Sequence, residues 1–514
     1  MKNQNRYTMM LTLSSTILLS GSASCGTAQK PNVIYIFPDQ FRNCALSFWN
    51  EPGFREKVNF QADPTYTPNL NALAKESVVL TSAQSNCPLS SPHRGMLLSG
   101  MYPEQNGVTL NCREDRPISS LKEDITCIGD VYSHAGYECA YFGKLHTDFP
   151  TPNDPERPGQ FVNDEHPVWD AYTPANRRHG FNFWYSYGTF DEHKHPHYWD
   201  NAGKKHVVNE WSPKHETEKV IEYLQNKNKQ RDAKKPFFIM LAMNPPHSPY
   251  MSLNDCEEED YNRYKGRSLK ELLVRANADT TMKKAACAPY YFAAVTGIDR
   301  QIGRLRKALK EMNLDKNTII VFASDHGETM CSQGTEDAKN SPYREAMNIP
   351  FIIHYPGKLK PAVSDLLLST PDIMPTMLGI CGLKNRIPKS VQGKNYANIL
   401  MSGKGEQPHG ALYIQNINGK LNANKQVDDF FPSARGIKTN EYTLALTIDQ
   451  KKQLKKVLLF NDSQDPYQMN PLNYELPENR QIFLELCRQT GQLLKESNDR
   501  WYKERILPDL MKYE

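Results

Sequence analysis

Beyond its first 25 residues the chain has no apolar run long enough to cross a bilayer, no Cys-x-x-Cys pair, no internal repeat and no large surplus of either charge. Each absence removes a class of function. Without about 18 consecutive apolar residues the body of the chain is not a helical membrane protein. Its ten remaining cysteines, scattered without close pairs, indicate neither a zinc ribbon nor a thioredoxin-like centre. In an oxidising compartment some could form disulfides, whose pairing the spacing does not define. The formal net charge is +4, and Lys2 and Arg6 supply two of those charges from the first 25 residues, so nothing argues for nucleic-acid binding. A hydrophobic content of 39%, a charged content of 23% and a mean hydropathy of −0.66 describe an ordinary folded chain, and 514 residues suffice for a large core.

What is present begins with an export pattern. Lys2 and Arg6 precede the apolar-rich TMMLTLSSTILLSG, and the small residues SASCG follow, which reads as a signal peptide over residues 1–25. Cys25 stands where a lipoprotein cysteine stands, while Ser22-Ala23-Ser24 would serve an ordinary signal peptidase equally well. The expectation is an exported protein, periplasmic or lipid-anchored at the cell surface, with any membrane association through that anchor alone.

Short apolar runs then alternate with segments of helical period, the pattern of an α/β fold with a large, mostly parallel sheet sandwiched by helices. NVIYIF (32–37), YECAYF (137–142), PFFIMLAM (236–243), TIIVFAS (318–324) and IPFIIHY (349–355) read as strands buried on both faces. Thr67-Pro68, Ser91-Pro92 and Ser212-Pro213 each offer a capping hydroxyl followed by proline at a helix start, and Gly100 and Gly136 read as stops. Residues 150–210, rich in Pro, Asn, His and aromatics, read as a long loop forming a lid or pocket wall. Past residue 405 strand-like pieces and a long amphipathic helix near 479–500 suggest a smaller α+β subdomain, giving a catalytic domain over 30–404 and a C-terminal unit over 405–514.

Four polar clusters fall at the carboxyl ends of the expected strands, where open parallel sheets bind ligands: Asp39-Gln40, Gly143-Lys144-Leu145-His146, Asn244-Pro245-Pro246-His247 and Asp325-His326-Gly327-Glu328. An aspartate at one strand end ordinarily caps the next helix, but four such clusters together point to a site. Asp39, Asp325 and the oxygen of Gln40 make an oxygen-rich set suited to Ca²⁺ or Mg²⁺, and His326 leaves Mn²⁺ or Zn²⁺ open. Ser90 falls at the amino end of the helix begun by Ser91-Pro92, where free N–H groups favour an anion, and Arg94 lies one turn along. Lys144 and Lys339 could add further cations, although the usual fate of a lysine is a solvated surface.

SSPHRGMLLSGMYPEQNGV, from Ser90, resembles the signature of the type I sulfatases of the alkaline phosphatase superfamily, in which a Cys or Ser precedes x-Pro-x-Arg and then Leu-x-Ser/Thr-Gly. The resemblance continues through PNVIYIFPDQ (31–40), TPNLNALAKES (67–77), AGYECAYFGKLH (135–146), KPFFIMLAMNPPHSPY (235–250), NTIIVFASDHGE (317–328) and KNSPYREAMNIPFIIHYPG (339–357). It implies hydrolysis of sulfate esters, with O-sulfated carbohydrate as the expected substrate. In that family the signature residue is oxidised to Cα-formylglycine, whose hydrated aldehyde attacks sulfur; the matching residue is Ser90, not Cys87. A serine precursor implies a transient partnership with an anaerobic sulfatase-maturating enzyme.

The resemblance also implies a Ca²⁺ site made by Asp39, Gln40, Asp325, His326 and the modified Ser90. Gln40 stands where a second Asp is usual and His326 where Asn is usual. Arg94 and Lys144 would hold formylglycine and sulfate oxygens, and His146 would hydrogen-bond the diol. His247 would protonate the leaving sugar oxygen, with Lys339 beside it. His93 replaces a frequent Ser or Ala and reads as a helix-surface or pocket-edge residue. Trp169, Trp184, Trp199, Trp211, Arg113, Asp170, Arg177, Arg178 and the pentapeptide HKHPH (193–197) are candidates for sugar contact, most of them expected to be structural.

Three other readings remain at this point. A phosphoric or phosphonic ester hydrolase with unmodified Ser90 would need a second metal and more His/Asp ligands near the first. A glycan-binding pseudoenzyme would bind without turnover. An arylsulfatase would differ in substrate alone.

Overall fold

A computed structural model describes residues 29–511; the segment read as a signal peptide and Cys25 lie outside the described residues. Ten strands form one sheet: β1 (Asn32–Ile36), β2 (Val78–Leu80), β3 (Glu138–Lys144), β4 (Phe183–Tyr187), β5 (His197–Asp200), β6 (Lys205–Val207), β7 (Phe237–Ala242), β8 (Thr318–Ala323), β9 (Phe351–His354) and β10 (Ala362–Ser364). Their spatial order is β10-β2-β9-β8-β1-β7-β3-β4-β5-β6. The central run β8-β1-β7-β3-β4 is parallel throughout, and antiparallel pairings of β9 and of β5 and β6 flank it. All five runs expected from the sequence are strands. Each of β1, β3, β7 and β8 is buried along its whole length, because helices cover both faces and a two-sided burial demands continuous apolar side chains.

The helices that matter here are α1 (Pro68–Lys75), α2 (Ser90–Ser99), α3 (Ser212–Gln225), α4 (Ala288–Glu311) and α5 (Pro477–Glu496). Proline opens α1, α3, α4 and α5 within their first two positions, where its missing N–H costs nothing. The expected hydroxyl caps do not form. Thr67 bonds Ser47 and Asn71, and α1 is capped from afar by Asp299 of α4, which accepts the N–H groups of Asn69 and Leu70 at 3.2 and 2.7 Å. Ser212 lies inside α3 with its hydroxyl unpartnered. Gly100 does end α2, at φ +65°, with its N–H on Met96 O.

The expected loop over 150–210 is only partly a loop. It folds back as β4, β5 and β6 and widens the sheet, β4 pairing in parallel with β3. Its aromatic residues conceal the alternation that would have marked strands, since Trp184, Tyr187, Tyr198 and Trp199 on both faces are all buried. At the other end β11 (Ala411–Asn418), β12 (Phe430–Lys438), β13 (Tyr442–Ile448) and β14 (Leu454–Asn461) form an antiparallel meander under α5. This second sheet braces α2 and its approach: Asn86 Nδ2 donates to Leu412 O at 2.8 Å, Ile414 N donates to Asn86 O at 2.7 Å, and Cys87 and Met96 share the core of Leu412, Ile437 and Trp501.

Candidate active site

The site sits at the carboxyl edge of four adjacent strands, β8, β1, β7 and β3, whose following residues are Asp325-His326, Asp39-Gln40, Asn244 to His247, and His146 beyond the terminal Lys144. Parallel neighbours bring loops distant in sequence to one rim, so the ten residues given catalytic or metal-binding roles from the sequence meet here, unlike most of those marked for sugar contact. Gln40 and His146 are non-glycine residues at φ +64° and +54°, the uncommon backbone state that often accompanies function.

Helix α2 starts at Ser90 and points its first turn into the rim. The Ser90 hydroxyl lies 3.0 Å from His326 Nε2 and 3.4 Å from both Asp39 Oδ1 and Lys339 Nζ. Arg94 lies one turn along the same face. Its guanidinium donates to Asp325 Oδ2 and Asp39 Oδ2, both at 3.1 Å, and to Lys144 O at 2.7 Å. Lys144 Nζ reaches Asp39 Oδ2 at 2.7 Å and donates to Asn244 Oδ1 at 2.9 Å. Arg94 and Lys144 are 1% and 0% exposed, so neither is a solvated surface charge. Ser91 is not the cap: its N–H donates to Asn111 Oδ1 and its hydroxyl accepts from Cys112 N–H. His93 is neither on the helix surface nor at the pocket edge; it is fully buried, with Nδ1 2.9 Å from Ser85 Oγ and 3.3 Å from Thr370 Oγ1.

The charges explain one another. Burial opposes ionisation of Asp39, but Lys144, His247, Arg94 and Lys339 outweigh it and hold the carboxyl well below its usual range. Burial, with help from Lys144 and Arg94, keeps His146 neutral, and burial pushes Lys339 below an ordinary lysine. The three cations face two carboxylates, which leaves the pocket attractive to an anion. Cys87 lies apart in the core, its thiol pushed up to about 12 by burial, so it offers no thiolate.

Asp39, Asp325 and His326 each offer a donor atom within 4.8 Å of the others. Gln40 Nε2 is held by Glu328, which also accepts Tyr250 OH at 2.9 Å, and this leaves Gln40 Oε1 buried without a partner. His326 Nδ1 meets Gly327 O at 2.9 Å, which assigns the proton there and leaves Nε2 free to coordinate. Two carboxylates, one orphaned amide oxygen and one imidazole nitrogen fit a divalent cation. The neighbours of this set are Arg94, Lys144 and Lys339, where a second metal would need acids and histidines.

His247 lies 2.9 Å from Lys339 Nζ through Nε2, and its Nδ1 faces Ser248 O at 2.6 Å and Asp191 Oδ1 at 3.3 Å. Asp191, which accepts from Asn244 Nδ2 at 3.0 Å, is a functional candidate that the strand-end reasoning did not single out, whereas Asn244 belongs to one of its four clusters without having been given a role there. Asp191 lies in the aperiodic 150–210 segment, which carries no local signal for its position. Of the residues marked for sugar contact, Trp184, Trp199 and Trp211 are core, Asp170 holds His197 at 2.7 Å, Arg177 holds Asp148 at 2.7 Å, and Arg178 stacks on Trp184. The ten cysteines among the described residues are all free thiols.

A parallel sheet with a buried hydroxyl, three cations and a metal-type donor set at its carboxyl rim defines a hydrolase of anionic esters. The chain belongs to the sulfatase family: the family model described as Sulfatase matches residues 31–383, and one described as N-sulphoglucosamine sulphohydrolase, C-terminal, matches 337–496. It is 63% identical to an endo-4-O-sulfatase of Bacteroides thetaiotaomicron over 95% of this chain and 96% of that protein. It is 30% identical to an ulvan-active sulfatase of Formosa agariphila over 91% of this chain and 82% of that protein. A solved structure from work on the metabolism of multiple glycosaminoglycans by Bacteroides thetaiotaomicron superposes with a TM-score of 0.92 at 63% identity, covering 94% of this chain and 99% of that one. The protein is therefore a sulfatase, with the alkaline-phosphatase-like fold expected from its motifs.

Proposed function

We propose that this sulfatase removes 4-O-sulfate from sugars within sulfated glycosaminoglycan chains, after export and after oxidation of Ser90 to Cα-formylglycine by an anaerobic maturase. The observation that carries the reading is the Ser90 hydroxyl, buried among Arg94, Lys144, Lys339, two carboxylates and His326. The likeness to the endo-4-O-sulfatase supports the position of the sulfate and the polymeric substrate. The hydrated aldehyde would supply two hydroxyls on one carbon, a nucleophile for sulfur and a second hydroxyl through which sulfate could be released. Calcium, held by Asp39, Gln40, Asp325, His326 and the modified side chain at 90, would supply Lewis-acid polarisation of the oxygens it touches.

This chain's own residues do the rest. Arg94, clamped by Asp39 and Asp325, presents fixed donors at the amino end of α2, and Lys144 adds a second charge without needing to reorganise. His146 keeps two free ring nitrogens for the diol oxygens. His247 gives its proton to the sugar oxygen as the ester bond breaks; Ser248 O and Asp191 beside Nδ1 fix the orientation of its ring, and Lys339 spans from His247 to Ser90.

Leaving-group chemistry tests the assignment. His247→Ala is expected to lose about 10²–10⁴-fold in kcat on a sugar sulfate, and far less on an aryl sulfate whose phenolate leaves unaided. Equal losses on both would assign His247 to binding. Within a set of glycosaminoglycan oligosaccharides, turnover of 6-O-sulfated but not 4-O-sulfated members would overturn the substrate reading.

A further inference from the structure

The turn from Arg113 to Arg116 carries a cation that the reaction above does not use. Its approach is bolted to the nucleophile helix, because Asn111 and Cys112 bond the N–H and hydroxyl of Ser91 at 3.0 and 3.2 Å. The chain then closes a turn, Arg116 N donating to Arg113 O at 3.2 Å, and Glu114 ties it to Val168 by two bonds of 3.0 Å. That tie sets both guanidiniums on the half-buried Trp169 ring, at 4.7 and 5.0 Å from its centroid. The same ring lies 6.3 Å from that of His146, so the turn borders the active site.

The local acids are spent elsewhere. Asp115 takes Arg113 in a two-bond fork, and Glu114 holds Val168 N–H and His166. Arg116 makes no ion pair among the described residues, and its Nε is buried without a partner. Burial and the neighbouring Arg113 work against its charge, and Asp115, already forked to Arg113, only partly offsets them. A guanidinium stacked on indole, fixed beside a second cation and with the nearby Asp115 already engaged by Arg113, is a preorganised fork for an oxyanion.

We propose that Arg116, presented by Trp169, binds a carboxylate or sulfate on the sugar adjoining the one whose sulfate is removed. The proposal rests on the reading of the enzyme as acting on acidic glycan chains, and it makes this turn the feature that selects a charged polymer over a neutral sulfated one.

Two measurements test it. The first is kcat/KM of the matured wild type and of Arg116→Gln on three oligosaccharides sharing one scissile sulfate: a uronate-containing form, the same with its carboxyls reduced to alcohols, and a form with an added sulfate on the adjoining sugar. If the carboxylate is the ligand, reduction costs the wild type about tenfold, mostly in KM, and the variant less than twofold. If a neighbouring sulfate is the ligand, the added sulfate gives a gain of that size which the variant lacks. A variant that changes all three substrates by one common factor overturns the proposal. The second is calorimetric binding of the same oligosaccharides to Ser90→Ala protein with and without Arg116→Gln, which needs no turnover. Preserved discrimination there without Arg116 overturns the proposal, whereas failure of matured wild type to cleave any of the three contradicts the substrate reading instead.

Discussion

Gln40 shows how one residue's identity is decided by its neighbours. A glutamine at a cation site presents either an oxygen or an NH₂ group, and Glu328 selects by accepting the NH₂ and leaving Oε1 free. Glu328 can afford the charge because Lys284 and Tyr250 share it. Removing it in Glu328→Ala is expected to weaken Ca²⁺ binding about 10–100-fold by calorimetry on the unmatured protein; a change below twofold would mean that Gln40 is oriented some other way. Cys87 makes the opposite case. Its chemistry attracts attention, yet its surroundings are Met96, Leu412 and the core of the second sheet, so Cys87→Ala should cost roughly 1 kcal/mol of stability and spare turnover. The residues at strand ends were legible because strands and the ligand rim of a parallel sheet are both predictable from local pattern. Asp191 and Arg116 were not, because their roles arise from contacts across loops with no period of their own.

Helix starts separate what is local from what is not. Proline after a polar residue marked the beginnings of α1 and α3 correctly, since the geometry of proline acts within its own residue. The caps were misassigned, because the partner of the α1 N–H groups is a carboxylate 230 positions away on α4. Asp299→Ala should therefore destabilise the protein by about 1–2 kcal/mol in urea unfolding; a loss of only a few tenths would place the cap elsewhere. The strands β4 to β6 were missed for a related reason. Aromatic residues buried on both faces erase the period-2 signal, and only pairing with β3 shows what the segment is.

Across the molecule the two sheets meet the site from different sides, and the second holds the approach to α2 in place through Asn86 and reaches Asn340, next to Lys339, through Gln415. Between them Glu345 is buried against Arg275 at 2.6 Å and Asn277 at 2.8 Å. Burial opposes its charge, but Arg275 and Arg42 prevail and bring its pKa from 4.5 to about 2. A depressed carboxyl adds stability above its unfolded pKa and loses it as pH falls through the folded value. Glu345 is thus expected to contribute about 3 kcal/mol at neutral pH, lost between about pH 4.5 and 2. Glu345→Gln should be less stable at pH 7 by about 3–5 kcal/mol, since it strands a buried arginine, and its unfolding curve should approach the wild type near pH 2. Parallel curves across that range would remove Glu345 from the account.

The most direct test of the central claim is the mass of the peptide containing residue 90, taken from protein coexpressed with an anaerobic maturase and assayed in parallel on a 4-O-sulfated glycosaminoglycan oligosaccharide. The predicted result is a peptide lighter by the two hydrogens lost in oxidising Ser90, in step with sulfate release, and neither signal in Ser90→Ala. An unmodified serine mass in protein that releases sulfate at full rate would contradict it.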